Sequence, residues 1–205
     1  MVKAVLFDMD GTFVDSEHLH KEAETLQCRQ YGIELTQEDK DIFAYIIDKY
    51  SLKDRTIDQL IEENNAIYMD VAGPKIKLYD GFTDLTAMIK PKKMGLVTSS
   101  NSQVQKFVFK TLALDGIFDE IVTVDMVSKG KPHPAPYQLC LRKLNMSPLD
   151  VIALEDSVNG ILSAKTAGIL TLAIGHTLPK ERLLHSAHYA ADLKAAKVFL
   201  ERYLR

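Results

Sequence analysis

The sequence predicts an α/β protein: a parallel sheet with helices on both faces, interrupted early by an all-helical insertion. Three observations carry this. A short apolar run, Val2 to Phe7, stops at Asp8, Asp10 and Gly11, as a buried strand does when it meets a polar loop. From Ser16 to Leu78 only helical patterns follow. After about Asp80, short β-rich runs alternate with amphipathic helical ones. One strand cannot form a sheet alone, so Val2 to Phe7 must join the later strands, and the stretch between is an insertion.

In order, the first helix is expected from Ser16 to Tyr31, with Ser16 as cap and Gly32 as stop. A second starts at Thr36-Gln37-Glu38-Asp39, the acids suiting the positive end of the helix dipole. A third runs from Asp54 to Tyr68, before Gly73-Pro74 breaks the pattern. Strands are then expected at Lys93–Thr98, Glu120–Val124, Val151–Leu154, Leu170–Ile174 and Tyr189–Ala191. Between and after them lie helices at Asn101–Leu112, Pro134–Leu144, Ser157–Ala167 and Leu193–Tyr203. The expected division is a core of residues 1–15 and 79–205 around a helical domain of residues 16–78. No internal repeat is visible.

Composition narrows the function classes. The chain has 205 residues, 46% of them hydrophobic and 26% charged, which suits a globular core rather than a disordered chain or a rod. Twenty-five Lys plus Arg against 28 Asp plus Glu leave a net charge of −3, without the basic excess of a nucleic-acid binder. Cys28 and Cys140 form no C-x-x-C pair, so both read as small buried hydrophobes in a reducing compartment. The first apolar run is too short for a signal peptide or membrane span, so a cytoplasmic protein with no membrane partner is expected. The absence of a long apolar heptad pattern points to a monomer or weak homodimer.

Ligands of open parallel sheets bind beyond the carboxyl ends of the strands. Four predicted strand ends deliver polar groups there: Asp8-Met9-Asp10-Gly11-Thr12, Thr98-Ser99-Ser100-Asn101, Lys129-Gly130-Lys131-Pro132 and Glu155-Asp156. This set suits phosphoryl transfer. Carboxylates beside an anionic substrate call for a divalent cation, and Mg²⁺ prefers oxygen ligands. One carboxylate can attack phosphorus, and a second can serve as general acid and then base. A hydroxyl, loop N–H groups and a lysine can hold the transferring oxygens. His18, His20 and Glu24 lack the spacing of a metal pair on one helical face and read as ordinary helix polarity.

These four strings, in this order, resemble the four motifs of the haloacid dehalogenase-like superfamily. The longer strings Phe7 to Ser16 and Leu154-Glu155-Asp156-Ser157-x-x-Gly160 are similar to its phosphatase and β-phosphoglucomutase-like branch with a helical cap. The resemblance implies a Rossmann-like core, a Mg²⁺ cofactor and a small phosphorylated metabolite as substrate. It implies Asp8 as nucleophile and metal ligand, and Asp10 as general acid/base with its backbone carbonyl on the metal. Thr98 and Ser99 would bind the phosphoryl group, Lys131 would neutralise it and orient Asp8, and Asp156 with Glu155 would complete the metal site. Members that cleave carbon–halogen bonds lack the second acid, so Asp10 implies phosphorus chemistry.

The inserted helices would form a cap, hinged near Val14–Ser16 and Leu78–Gly81, that closes over the site, excludes water and sets substrate choice. His20, Ser100 and Asn101 are candidate substrate contacts. The mutase-like members carry a cap arginine and a loop lysine for a second phosphate. Here Ser100-Asn101-Ser102 stands where the lysine would be, and Arg55 is the nearest candidate arginine. That departure favours a phosphatase over a mutase. The third reading is a binding or regulatory protein that kept the fold and lost activity.

Overall fold

The computed structural model describes residues 2–33, 56–183 and 188–204. The helix expected from Thr36, and Arg55, lie outside the described residues. Among the described residues six strands build one sheet: β1 (Ala4–Phe7), β2 (Lys93–Val97), β3 (Glu120–Val122), β4 (Val151–Glu155), β5 (Leu170–Ile174) and β6 (His188–Ala190). All neighbours pair in parallel, in the spatial order β3-β2-β1-β4-β5-β6. The described α-helices are α1 (Glu17–Gln30), α2 (Ile57–Ala72), α3 (Phe82–Ile89), α4 (Ser102–Leu112), α5 (Ala135–Leu144), α6 (Val158–Thr166) and α7 (Leu193–Leu204). The predicted α/β core is therefore present. Among the described residues no helix is long and apolar enough to cross a membrane.

Topology positions the site. The chain steps outward from β1 through β2 to β3, then returns to the other side of β1 for β4, so the strand order switches beside β1. Register aligns Phe7 with both Leu96 and Leu154, so Asp8 leaves the sheet level with Val97 and Glu155. Central strands buried on both faces need apolar side chains throughout, and β1 and β4 are buried at every position.

Helix α2 runs four residues past the expected end at Tyr68, and two further elements differ from the sequence expectation. Helix α3 is additional to it, yet the buried Phe82, Leu85, Thr86 and Ile89 show the helical i, i+3, i+4, i+7 spacing. The eight residues of α3 are rich in β-branched and aromatic types, which hides the helix. Strand β3 ends at Val122 rather than Val124. There the chain turns into a 3₁₀ segment, Val124–Met126, and Asp125 accepts a hydrogen bond from the Ser102 N–H at 3.0 Å.

Below the Asp8 loop, Phe13 stacks on Phe82 at 4.4 Å between ring centroids, and both pack edge-on against Phe7. Phe118 closes the cluster, 5.7 Å from Phe7 and 5.6 Å from Phe13. The loop after the nucleophile motif is thus anchored by aromatic burial rather than by secondary structure.

The described residues divide into two compact units, Met1–Asp15 with Lys77–Arg205, and Ser16–Ile76. Lys77 and Leu78 belong to the larger unit. Val14 and Leu78 form an antiparallel bridge, and the Asp15 N–H donates to the Lys77 carbonyl at 2.9 Å. In the smaller unit, α1 and α2 pack antiparallel. His20 stacks on Tyr68 at 4.0 Å, and Gln27 donates to the Leu60 carbonyl at 2.8 Å and accepts from Asn64 at 3.0 Å.

Asp119 clamps the entrance of β2. Its carboxylate accepts from the Met94 N–H at 2.9 Å and from Lys93 Nζ at 2.5 Å. Partial burial pushes its pKa up, but the Lys93 and Met94 bonds outweigh this and hold it below the ordinary value. A depressed folded-state pKa means the charge stabilises above the unfolded pKa, and that stability is lost as pH falls through the folded one. Asp119→Asn should therefore cost about 0.5 kcal/mol at pH 7 after solvent screening, with the gap closing between roughly pH 5 and pH 3. Urea unfolding at several pH values checks this; a gap independent of pH would contradict it.

Candidate active site

The site grows from the carboxyl ends of β1, β2 and β4 and the turn before α5. Asp8 follows β1 directly, and its N–H donates to the Leu154 carbonyl at 3.0 Å. A tight turn then folds the chain back, with the N–H groups of Phe13 and Val14 both donating to the Met9 carbonyl at 3.1 Å. Gly11 makes the turn possible. Its φ is +75°, and a Cβ there would lie 2.2 Å from Asp156 Oδ2.

Lys131 is the cationic centre. Its side chain is 4% exposed, and Nζ donates to Asp8 Oδ1 at 2.6 Å, Glu155 Oε1 at 2.5 Å and the Val97 carbonyl at 2.8 Å. Burial pulls the ammonium pKa down, but the two carboxylates more than reverse this, so Lys131 stays charged. Burial is also the largest influence on Asp8 and Glu155, and it raises both, with Lys131 offsetting it only in part.

Asp156 sits on the other side of Asp8. Thr12 Oγ1 is shared between Asp8 Oδ2 at 3.1 Å and Asp156 Oδ1 at 3.2 Å, and Thr177 donates to Asp156 Oδ2. Carboxylate oxygens of Asp8, Glu155 and Asp156 lie within 4.8 Å of one another, and all three residues are buried. One lysine cannot neutralise three buried carboxylates. The deficit and the all-oxygen donor set fit a hard divalent cation.

Asp10 stands beside this group. Its Oδ2 accepts from Ser100 Oγ at 2.7 Å and from Thr98 Oγ1 at 3.4 Å, and the Ser100 N–H donates back to Thr98 Oγ1 at 3.0 Å. Ser99 is exposed at the same strand end. Asn101 is turned to the N-cap of α4, where its side chain accepts from the Val104 N–H at 3.0 Å. The structure thus gathers Asp8, Asp10, Thr98, Ser100, Lys131, Glu155 and Asp156 at one rim. His20 belongs to the smaller unit, stacked on Tyr68.

Sequence reasoning misses the residues that hold this rim in place. Tyr137, fully buried on α5, donates its hydroxyl to Glu155 Oε1 at 2.5 Å, and its ring lies 5.4 Å from Lys131 Nζ. A signal exists: Tyr137 shares the apolar face of α5 with Cys140, Leu141 and Leu144, and a buried tyrosine needs a partner for its hydroxyl. His176, stacked 3.8 Å from Tyr79, contacts the Thr12 carbonyl through Nδ1 at 3.1 Å. Gly160 is glycine because a Cβ would fall 1.8 Å from Glu155 Oε2. Tyr137→Phe keeps the packing and removes one donor from a fully buried carboxylate. It should lower stability by about 1–3 kcal/mol, read by urea unfolding; an unchanged midpoint would show that Glu155 does not need the hydroxyl.

Comparison with known proteins defines the class. The haloacid dehalogenase-like hydrolase family matches residues 5–174, and the chain belongs to that family. Among curated relatives, the validoxylamine A 7'-phosphate phosphatase of Streptomyces hygroscopicus subsp. limoneus is 30% identical over 202 residues, covering 94% of this chain and 95% of that protein. A phosphorylated carbohydrates phosphatase of Thermotoga maritima is 28% identical, with 96% of each chain covered. Among solved structures, a putative beta-phosphoglucomutase from Thermotoga maritima superposes with a TM-score of 0.78 at 26% identity, covering 98% of this chain and 99% of that one.

Proposed function

We propose that this chain is a Mg²⁺-dependent phosphatase that hydrolyses a small phosphorylated metabolite through a phosphoryl group carried on Asp8. The observation that carries this reading is the buried Asp8–Lys131–Glu155 cluster, with Asp10 held beside it on the Thr98 loop. The phosphatase names of the relatives support it.

In the first half-reaction an Asp8 carboxylate oxygen bonds to phosphorus while the bond to the leaving oxygen breaks. Asp10, as the acid, gives that oxygen its proton. In the second, water attacks phosphorus, Asp10 takes the water's proton, and the bond to Asp8 breaks to release inorganic phosphate. Lys131 keeps Asp8 oriented and offsets the phosphoryl charge, while Thr98 and Ser99 receive its oxygens. Asp8, Asp156 and the Asp10 main-chain carbonyl would hold Mg²⁺; Glu155, also expected at the metal site, accepts from both Lys131 and Tyr137 through Oε1 and would contribute its charge beside them. The bound ion supplies the positive charge that lets an anionic phosphoryl group approach a rim of carboxylates. Substrate choice would fall to the expected helical cap, residues 16–78.

A phosphatase rather than a mutase is favoured by the 98–102 loop. Ser100 is bonded to Asp10 and Asn101 caps α4, and no lysine stands there for a second phosphate. The test is a panel of phosphorylated metabolites assayed for free phosphate, with and without EDTA. Phosphate release should vanish with EDTA and return with excess Mg²⁺. Release insensitive to the chelator would overturn the metal assignment, and an isomerised sugar phosphate in place of free phosphate would favour the mutase.

A further inference from the structure

A basic groove of the larger unit lies at the opposite ends of the strands from the catalytic rim. It encloses about 830 Å³ between the α3 face, the turn at Lys90–Lys93 and the loop before β3. Lys3 and Lys93 stand where β1 and β2 begin, whereas Asp8 and Thr98 follow the ends of those strands. The separation is about 15 Å along the strands.

Four lysines line the groove, Lys3, Lys90, Lys92 and Lys93, against one carboxylate, Asp119. Asp119 pairs with Lys93 at 2.5 Å, and Lys3 reaches Asp150 at 2.8 Å. Lys90 and Lys92 have no carboxylate within ion-pair distance among the described residues. Two positive charges are therefore left over on a chain whose net charge is −3.

A lysine cluster alone is a solvated face; the floor distinguishes this one. Ala87, Pro91 and Ile117 supply accessible apolar surface, backed by the buried Met94 and Phe118. The Phe118 ring is held by Phe7, Phe13 and Phe109 at 5.6–5.8 Å. The Met94 backbone is fixed from both sides by Asp119, through its carboxylate at 2.9 Å and its N–H at 2.8 Å. The floor is therefore preorganised, so a ligand that rests on it loses little affinity to ordering the protein.

The geometry points to a binding site for a small organic anion, a doubly charged phosphoryl or phosphonate group on an apolar body. The dianion matches the charge of the two unpaired ammonium groups, and the apolar body matches the surface of Ala87, Pro91 and Ile117. A singly charged carboxylate would leave one ammonium uncompensated.

Phenylphosphonate is a probe that carries both features and has no ester bond to hydrolyse. In metal-free protein it should shift the backbone amide signals of Gly116, Ile117 and Asp119. Lys90→Ala/Lys92→Ala should weaken its binding, measured by titration calorimetry, by about tenfold or more. Benzoate and inorganic phosphate, each lacking one feature, should bind at least about tenfold more weakly than phenylphosphonate. Phosphate release with Mg²⁺ should be unchanged in the double variant, whose thermal melt confirms folding. Shifts confined to Gly11 and Ser99, undiminished affinity in the double variant, or benzoate binding equal to phenylphosphonate would each overturn the assignment.

Discussion

Asp8→Asn should abolish phosphate release, by about 10³-fold or more, while the protein still folds. An amide oxygen in place of the carboxylate cannot form the phosphoryl bond, and loss of a covalent nucleophile is among the largest single-residue effects in catalysis. The fold should survive because Lys131 keeps Glu155 at 2.5 Å and the Val97 carbonyl at 2.8 Å, so the buried ammonium is not orphaned. Phosphate assays and thermal unfolding together read the outcome. Substantial residual turnover would place the nucleophile elsewhere.

Lys131→Met should damage both activity and stability, and this separates it from the first variant. Methionine fills a similar volume but leaves Asp8 and Glu155, 6% and 0% exposed, facing each other with no cation between them. Removing one partner from a buried ionic cluster costs about 3–5 kcal/mol, because the remaining charge keeps its desolvation penalty and loses its compensation. The unfolding midpoint in urea should fall accordingly, and phosphate release should fall with it. A variant as stable as the parent would mean that the two carboxylates do not depend on the bonds they accept from Lys131.

Much of this site is legible in the order of residues. The carboxylates of Asp8, Asp10, Glu155 and Asp156 stand where apolar runs give way to polar residues, at or just beyond strand ends, whereas Lys131 comes nine residues after β3, in the turn before α5. In a parallel sheet all such ends share one edge. Helix α3 escapes the sequence reading: Phe82, Leu85, Thr86 and Ile89 keep helical spacing, but β-branched and aromatic residues mask it.

The supporting residues are not legible, for a physical reason. Thr177 is 21 residues from Asp156 in the chain, Tyr137 is 18 from Glu155, and His176 is 164 from Thr12. Their partners are set by which strands become neighbours, and no local pattern encodes that. The charge state of the site is likewise tertiary, since burial dominates the pKa of Asp8 and Glu155 and depends on the whole core around them.

By itself, then, the order of residues determined the α/β class and the residue types at the rim, because periodicity and strand-end chemistry are local. Only the tertiary structure decided that one lysine bridges Asp8 and Glu155, that Tyr137 and Thr177 hold the flanking carboxylates, and that Asn101 is taken up by a helix cap. It also decided that a second basic surface lies at the far end of the same strands. Each of these depends on strand order and register, which bring together side chains that the chain keeps far apart.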